Sequence, residues 1–369
     1  MTTKIKLLIG INNFTAAGAQ KLVADHLNHF DRTKYELALL TFFQEDKKDN
    51  FFHLLPSGIK SYKLNFRNAY DIKNWFRVWK ILKEFQPDIV LSHLFFSNTI
   101  LRTLKPFFRY RIVVYEHNIY NNKTKLQQLT DKILSYFTHK IIADSQTVKD
   151  FTVNQEKINP NKFVVLPCSI NYWQIRDEIA KYDKDELKQR LGFKKEDKLI
   201  INAARLIWQK NHQLLIDSFA EFNRKNNKYK LIILGDGPFY DALKKQIESL
   251  NLTEKVFLLG FKRNVFEYML ISEFFVLTSK TEGFPVVSLE AMAVGLPLIS
   301  TKVAGLDNSI IDGFNGYLIK NEDKVEIAFA MQKVADQGHD YFSENCRKTA
   351  EQYDIKQHIE KLEEIMSKP

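Results

Sequence analysis

The chain has 369 residues, of which 45% are hydrophobic and 27% charged, a composition that excludes a disordered or fibrous protein and fits two domains of ordinary size. Its formal net charge of +10 comes entirely from the first half, since residues 1–167 carry 25 Lys+Arg against 14 Asp+Glu. A basic half indicates an anionic partner such as a membrane surface or a phosphate-bearing acceptor. Nucleic acid would suit the same charge, but no nucleic-acid-binding module is recognisable and we expect no such partner.

Cysteine usage and the apolar runs indicate an intracellular protein. Cys168 and Cys346 lie far apart and form neither a CxxC pair nor a metal-binding spacing, which fits a reducing compartment. The N-terminal apolar run is too short for a secretory signal, and no run approaches the roughly 20 apolar residues that span a bilayer. We therefore expect a cytoplasmic protein, and peripheral binding at the inner face of the cell membrane stays open.

Strands and helices alternate along the first half. Short β-branched or aromatic runs predict strands at residues 5–10, 35–43, 88–94, 111–117, 140–145 and 162–167. A helix is predicted over 71–85, and one of its faces carries Ile72, Trp75, Phe76, Trp79 and Leu82. With basic residues beside it, this stripe suits either a core-facing helix or an amphipathic helix on an anionic membrane, and the sequence favours neither.

The second half repeats the alternation after a polar segment. Strands are predicted at residues 198–206, 229–237, 255–261, 273–279, 296–301 and 316–320. Strands that alternate with helices over this length indicate parallel sheets covered by helices on both faces. The predicted organisation is a domain at 1–170, a linker at 171–197, a domain at 198–350, and a C-terminal helix within 351–369 that could pack back on the first domain. Asp183 and Asp185 form a D-x-D in the linker, where a solvated helix face is a better explanation than a metal site.

The segment TEGFPVVSLEAMAVGLP, at residues 281–297, places two glutamates eight residues apart after a predicted strand. Ligands bind at the carboxyl ends of strands in such folds. Glu282 lies on the loop near the start of a helix, and Glu290 lies two turns inside that helix, which Gly295 and Pro297 end. Carboxylates accept hydrogen bonds from paired hydroxyls, as on a sugar or ribose. The purely structural alternatives are that Glu282 stabilises the helix through its dipole and that Glu290 is an ordinary surface residue.

The pattern E-G-F-P-x-x-x-x-E-A-M, followed by G-x-P, resembles the E-x7-E signature of glycosyltransferase family 4, a family of retaining enzymes. The resemblance covers nearly the whole chain and is strongest over 200–320. It implies an α/β protein with the GT-B fold, in which two doubly wound Rossmann-like domains face a central cleft. The first domain would bind the acceptor and the second would bind the nucleotide-sugar donor.

The resemblance also implies roles for individual residues of the donor domain. Arg205 and Lys210 match the positions that clasp the nucleotide diphosphate, where two cations can neutralise a leaving pyrophosphate. Glu290 would hold the ribose hydroxyls and Glu282 the sugar, so that Glu282 joins the two cations as a candidate catalytic residue. Further donor-binding positions are the loop residues Gly283, Phe284 and Pro285 and the glycines of the turn LGDGP, Gly235 and Gly237.

Three positions in the first half match the family less closely. His117 ends a predicted strand and matches a histidine that in the family faces the transferred sugar, so the resemblance makes it a further candidate catalytic residue, with a merely structural histidine as the open alternative. The family usually has a Gly-Gly pair that lies under the diphosphate or the acceptor. This sequence keeps only Gly18 of that pair, with Ala17 before it. Cys168 and Ser169 stand where the family commonly has Asn-Gly, which puts a role for that loop in doubt.

The resemblance implies a retaining hexosyltransferase that needs neither a metal nor a cofactor. It would transfer a sugar from a nucleotide-diphosphate sugar, with UDP favoured, to a glycan or lipid-linked acceptor in the synthesis of bacterial cell-surface polysaccharide, lipopolysaccharide or other glycans. Double displacement would need a carboxylate nucleophile, and none is evident. The resemblance to the family implies the other route, front-face attack assisted by the leaving phosphate. Two alternatives stay open: a catalytically silent GT-B protein that binds glycans or a partner enzyme, and a nucleotide-sugar epimerase.

Overall fold

The structure, a computed structural model, describes residues 4–15, 17–45, 50–307 and 309–367. The chain forms two compact units. One consists of Met1–Ser169 together with Ile355–Pro369, and the other of Ile170–Asp354. Each unit is built on its own parallel β-sheet.

The first unit has a sheet in the order β3-β2-β1-β4-β5-β6-β7. Its strands, within the described ranges, are β1 (Ile5–Ile11), β2 (Tyr35–Thr41), β3 (Lys60–Lys63), β4 (Ile89–His93), β5 (Arg111–Glu116), β6 (Lys140–Ala143) and β7 (Phe163–Val165). The helices between them are α1 (Gly18–His29), α2 (Ile72–Phe85), α3 (Phe95–Leu104), α4 (Lys125–Ser135) and α5 (Gln146–Glu156). All pairs of neighbouring strands are parallel.

The strand order decides which face of this sheet each helix covers. Leu7, Leu8 and Ile9 of β1 are completely buried, as expected for a central strand covered on both faces. From β3 to β4, and onward to β7, the chain advances in one direction along the sheet, whereas the step from β1 to β2 runs in the other. Right-handed crossovers therefore place α2, α3, α4 and α5 on one face and α1 on the opposite face.

The second unit has a parallel sheet in the order β10-β9-β8-β11-β12-β13. Its strands are β8 (Lys198–Ala203), β9 (Tyr229–Leu234), β10 (Val256–Leu258), β11 (Phe274–Leu277), β12 (Leu298–Thr301) and β13 (Gly316–Ile319). Its helices are α6 (Tyr172–Ile179), α7 (Lys184–Arg190), α8 (His212–Asn223), α9 (Tyr240–Ser249), α10 (Val265–Leu270), α11 (Val286–Val294), α12 (Lys324–Gln337) and α13 (His339–Glu351).

The last helix, α14 (Ile355–Ser367), lies in the first unit, where it packs on α1. It buries Ile359 and Leu362, and the Nε2 atoms of His358 and His26 lie 3.0 Å apart. This is the helix predicted within 351–369. Among the described residues, no helix combines the length and the apolarity that crossing a membrane requires.

One strand is missing from the sequence-based prediction. β3 consists of Lys60–Lys63, lies at the edge of its sheet and is mostly exposed. An edge strand with charged residues has no run of apolar side chains, and it therefore lacks the pattern by which the other strands are recognised.

The segment predicted as a linker, 171–197, instead folds into the second unit. α6 and α7 lie there, and α6 packs against α11 through a buried face. The D-x-D is a helix cap, because the carboxylate of Asp183 accepts hydrogen bonds from the backbone N–H groups of Asp185 and Glu186, both at 2.9 Å. The segment was mistaken for a linker because its charged residues outnumber the few apolar residues that anchor it.

Candidate active site

Two loops of the second unit meet at the carboxyl ends of neighbouring strands. β8 pairs with β11, so the segment after β8 lies beside the loop after β11. Gln209 Nε2 donates a hydrogen bond to the carbonyl of Thr281 at 2.6 Å, and the N–H of Lys280 donates to the carbonyl of Gln209 at 2.8 Å. Thr278 Oγ1 donates to the carbonyl of Asn211 at 3.0 Å. These bonds hold the two loops together at the carboxyl end of the sheet, where ligands of such folds bind.

Lys210 and Glu282 form an ion pair across these two loops. The side chains are 19% and 9% exposed, so the pair is largely withdrawn from water. A partly desolvated carboxylate needs a positive partner, and Lys210 supplies it. The predicted diphosphate-binding cation and the predicted sugar-binding carboxylate therefore belong to one electrostatic unit.

Arg205 lies just past the end of β8 and is exposed. Its carbonyl accepts a hydrogen bond from the N–H of Ile207 at 2.9 Å, which closes a tight turn directly after β8. The carboxyl end of β8 therefore carries an exposed guanidinium, five residues before a lysine that is already paired. Because a guanidinium presents a fork of N–H donors, this end of the sheet can bind an anion such as a phosphate.

The glycines of the turn after β9 are required by packing between two loops. A Cβ on Gly235, whose φ is +137°, would lie 2.0 Å from the carbonyl oxygen of Ala204. A Cβ on Gly237 would lie 2.4 Å from the carbonyl oxygen of Leu206. The N–H of Leu206 donates to the carbonyl of Asp236 at 2.9 Å, which keeps the loops in contact. Both glycines are thus required because the loop that carries Arg205 packs directly against this turn. Their direct contact with a donor stays a prediction.

Helix α11 begins directly after the remaining loop residues. Pro285 precedes its first residue, and its carbonyl accepts a hydrogen bond from the N–H of Ser288 at 2.9 Å. Gly283 and Phe284 are buried, and the Phe284 ring lies 5.8 Å from that of Tyr353. Glu290 is the fifth residue of the helix, so it lies little more than one turn inside it and not the predicted two turns. Its side chain is partly exposed.

His117 lies in a buried row of polar side chains in the first unit. Its Nδ1 donates to Asp144 Oδ2 at 2.8 Å, and its Nε2 lies 3.0 Å from His93 Nδ1. Since the Asp144 carboxylate can only accept, we assign the proton of His117 to Nδ1, so that Nε2 accepts from His93. Burial lowers the pKa of His93 well below its usual value. Both nitrogens of His117 are engaged, and its proposed contact with a sugar stays a prediction.

The sequence-based prediction missed Asp144 as a partner of His117. His93 ends β4, His117 follows β5, and Asp144 follows β6, three neighbouring parallel strands. Aligning the carboxyl ends of consecutive predicted strands would have brought these three residues together. Cys168 completes the cluster, and the potential ligand atoms of His117, Asp144 and Cys168 lie within 4.8 Å of one another. Burial and the charge of Asp144 raise the pKa of the Cys168 thiol well above its usual value, which opposes both a metal-binding and a nucleophilic role.

Gly18 differs from the two glycines of the second unit. It is the exposed first residue of α1, and a Cβ placed on it would have no heavy atom within 4 Å outside its immediate neighbours. Packing in the described structure therefore does not require a glycine at this position. Open space at a helix N-terminus is compatible with the predicted approach of a diphosphate or acceptor.

Both halves of the chain match models of known protein families. Residues 183–353 match the model described as glycosyl transferases group 1, and residues 16–173 match the model described as glycosyltransferase family 4. These matches, together with the two parallel α/β units, define a glycosyltransferase, and the chain belongs to glycosyltransferase family 4. The predictions of the family and of the GT-B fold class are thereby confirmed.

Individual proteins resemble the chain at low sequence identity. The chain is 31% identical over 247 residues to an uncharacterized glycosyltransferase of Methanocaldococcus jannaschii, covering 62% of this chain and 59% of that protein. It is 25% identical over 310 residues to the UDP-Gal:alpha-D-GlcNAc-diphosphoundecaprenol alpha-1,3-galactosyltransferase of Escherichia coli, covering 80% and 79%. Among solved structures, Anabaena HepE in complex with UDP has a TM-score of 0.84 at 20% identity, over 98% of this chain and 100% of that one.

Proposed function

We propose that this protein transfers a sugar from a UDP-sugar to the hydroxyl of a glycan or lipid-linked acceptor, with retention of the anomeric configuration. The observation that carries the proposal is the Lys210–Glu282 ion pair between the loops that follow β8 and β11, with Arg205 just past the end of β8. Two cations and a carboxylate are the groups needed to hold a diphosphate and the hydroxyls of the attached sugar.

The leaving diphosphate would be stabilised by charge already present in the protein. Arg205 offers an exposed guanidinium, and Lys210 can share its ammonium between Glu282 and an arriving phosphate because an ammonium has three N–H donors. Glu282 would then keep Lys210 oriented while it accepts a hydrogen bond from the sugar. Glu290 would accept from the ribose hydroxyls. On this proposal no metal or cofactor is needed, and the phosphate itself assists attack on the front face of the sugar.

The names of similar proteins support the choice of UDP and of the acceptor class. HepE has been solved with UDP and with UDP-glucose. The E. coli relative is named for a UDP-Gal donor, an alpha-1,3 linkage and a diphosphoundecaprenol acceptor. We therefore propose a role in the assembly of bacterial cell-surface polysaccharide, lipopolysaccharide or a related glycan.

A donor screen followed by product analysis tests this function. We expect UDP, UDP-glucose, UDP-galactose or UDP-N-acetylglucosamine to raise the melting temperature more than GDP-mannose. With extracted bacterial polyprenyl-diphosphate sugars as acceptors, the protein should release UDP, and the new linkage should be alpha by NMR. Binding without UDP release would support a silent binding protein, and interconversion of UDP-sugars without UDP release would support an epimerase. A beta-linked product would refute retention.

A further inference from the structure

Helix α4 turns an apolar stripe towards the solvent. Leu126, Leu129, Ile133 and Tyr136 are 72%, 53%, 51% and 75% exposed. They follow one another at intervals of three, four and three residues, so they lie on one side of the helix. A surface helix normally buries such a stripe and exposes its polar face. In α4 the polarity is reversed.

A buried cluster of charges fixes this orientation. Asp131, on the inner side of α4, is completely buried and forms ion pairs with Arg102 of α3 and with Lys123, whose Nζ lies 2.9 Å away. Lys123 also pairs with Glu156 of α5. Rotating α4 to bury its leucines would expose Asp131 and leave Arg102 and Lys123 without this partner in the interior, which is strongly unfavourable. The apolar stripe is therefore held outward by the polar contacts of the inner face.

Helix α2 presents a second apolar stripe on the same layer. Its buried residues are Asn74, Val78, Ile81, Leu82 and Phe85. Ile72 and Phe76 are 68% and 71% exposed, so the core-facing alternative for these positions is wrong. Trp79 lies beside them, with its ring 5.3 Å from that of the exposed Phe107. Since α2 and α4 cover the same face of the sheet, both stripes belong to one helical layer of the first unit.

The charges near these stripes indicate what covers them. Lys125 and Lys132 each immediately precede a residue of the α4 stripe, and they line one edge of it. Asp131, the one acidic residue in the sequence of α4, faces inward, so a second copy docked stripe to stripe would offer these lysines no carboxylate from its own α4. Lys73, Lys80 and Lys83 are exposed on α2. Two apolar stripes with basic edges on one layer fit a flat, anionic surface better than a second copy of the chain.

We propose that the outer faces of α2 and α4 together dock the protein on a bilayer that contains anionic lipid. The apolar side chains enter the boundary between headgroups and acyl chains, and the lysines contact the phosphates. This surface deepens the proposed function, on which it rests for the reason to be at a membrane, because a lipid-linked acceptor presents its sugar there. The surface lies wholly within the first unit, whereas the proposed donor residues lie in the second.

Flotation on vesicles with matched variants tests the α4 stripe. Wild-type protein should float with vesicles of phosphatidylcholine and phosphatidylglycerol, and less in high salt or with phosphatidylcholine alone. Leu129→Glu/Ile133→Glu should lower partitioning at least tenfold, because each inserted CH₂ contributes a factor of roughly four. The control is Val325→Glu/Phe329→Glu on α12 of the second unit, where the side chains are 57% and 61% exposed. It should float like the wild type.

Charge variants test the same surface without altering its apolar residues. Lys125→Glu/Lys132→Glu should lower partitioning by roughly 30-fold or more, since each lysine near an anionic leaflet contributes a factor of roughly five. Lys244→Glu/Lys245→Glu, exposed on α9 of the second unit, is the control. The proposal is refuted if the wild type stays unbound on anionic vesicles, if both α4 variants float normally, or if light scattering shows a dimer that Leu129→Glu dissolves.

A UDP-induced rise in melting temperature separates this proposal from the proposed function. It should persist in every α4 variant, because the donor residues are in the other unit. A wild type that floats but shows no response to UDP would support docking and count against the donor assignment. A wild type that responds to UDP but does not float would support the donor assignment and count against docking.

Discussion

Lys210 and Glu282 form a largely buried ion pair that joins the loops after β8 and β11, although the two residues are 72 positions apart in the chain. The pair couples the stability of these loops to the charge of the proposed donor site. Arg205, five residues before Lys210, is exposed and does not share this structural role. The two cations should therefore respond differently to substitution.

Arg205→Ala should separate function from folding. We expect turnover to fall about a hundredfold or more, corresponding to about 3 kcal/mol of lost transition-state stabilisation. The melting temperature should stay close to that of the wild type because the side chain is exposed. Steady-state UDP release and thermal denaturation measure the two effects. Near-normal turnover would rule out a role in stabilising the leaving group.

Lys210→Ala should impair both properties, since it leaves the Glu282 carboxylate without its positive partner. We expect a loss of about 1–3 kcal/mol in the free energy of unfolding. Adding Glu282→Gln should recover part of the stability, because the unpaired charge is removed, but none of the turnover. Denaturant titration of the wild type, Lys210→Ala, Glu282→Gln and the double variant provides a double-mutant cycle. Additive losses in stability would mean that the pair does not act as a unit.

The glycines make a matched pair of substitutions. Gly235→Ala should destabilise the protein by roughly 2 kcal/mol or more, because the new Cβ would meet a backbone carbonyl and φ is in the left-handed region. Gly18→Ala should change the free energy of unfolding by less than about 0.5 kcal/mol, since that position is open. If Gly18 approaches the diphosphate or acceptor, the latter variant should still raise KM. Equal melting temperatures for the two variants would contradict the packing argument.

Acid should destabilise the first unit. Burial lowers the pKa of His358 to about 4 and also depresses those of His26 and His93. Between pH 6.5 and 4 these histidines therefore bind more protons in the unfolded chain than in the folded one, so their contribution lowers stability as pH decreases. The His358 shift alone corresponds to about 3 kcal/mol when complete. Melting curves from pH 7.5 down to pH 4.5 measure the trend. His358→Gln should flatten it, whereas His53→Gln, at an exposed position, should not.

Turnover should survive removal of divalent metals. Arg205 and Lys210 place positive charge at the carboxyl ends of the strands, and by our proposal they take over the charge neutralisation that a metal ion performs in other sites. UDP release after treatment with EDTA and gel filtration tests this. Activity that disappears with EDTA and returns with Mg²⁺ or Mn²⁺ would overturn the metal-free mechanism.

The strands were largely predictable because a parallel sheet covered by helices is built from continuous aliphatic runs, such as those of β1 and β9. β3 was not, since its sequence, KSYK, contains no aliphatic run. The face of α2 that packs inward was not decided either. Its periodicity allowed a stripe through Ile72, Phe76 and Trp79 to face the core, but the buried side chains include Val78, Ile81 and Phe85. Which side of a helix is buried depends on the surface it meets.

The sequence by itself determined the family, the alternation of strands and helices, and the position of Arg205, Lys210 and Glu282 after neighbouring strands. Periodicity and strand ends are local properties, and they are legible in a few consecutive residues. Only the tertiary structure decided that Lys210 pairs with Glu282, that Gly235 lies against Ala204, and that His117 is held by Asp144. These relationships join segments that are distant in the chain, and they follow from sterics and charge compensation once those segments are packed together.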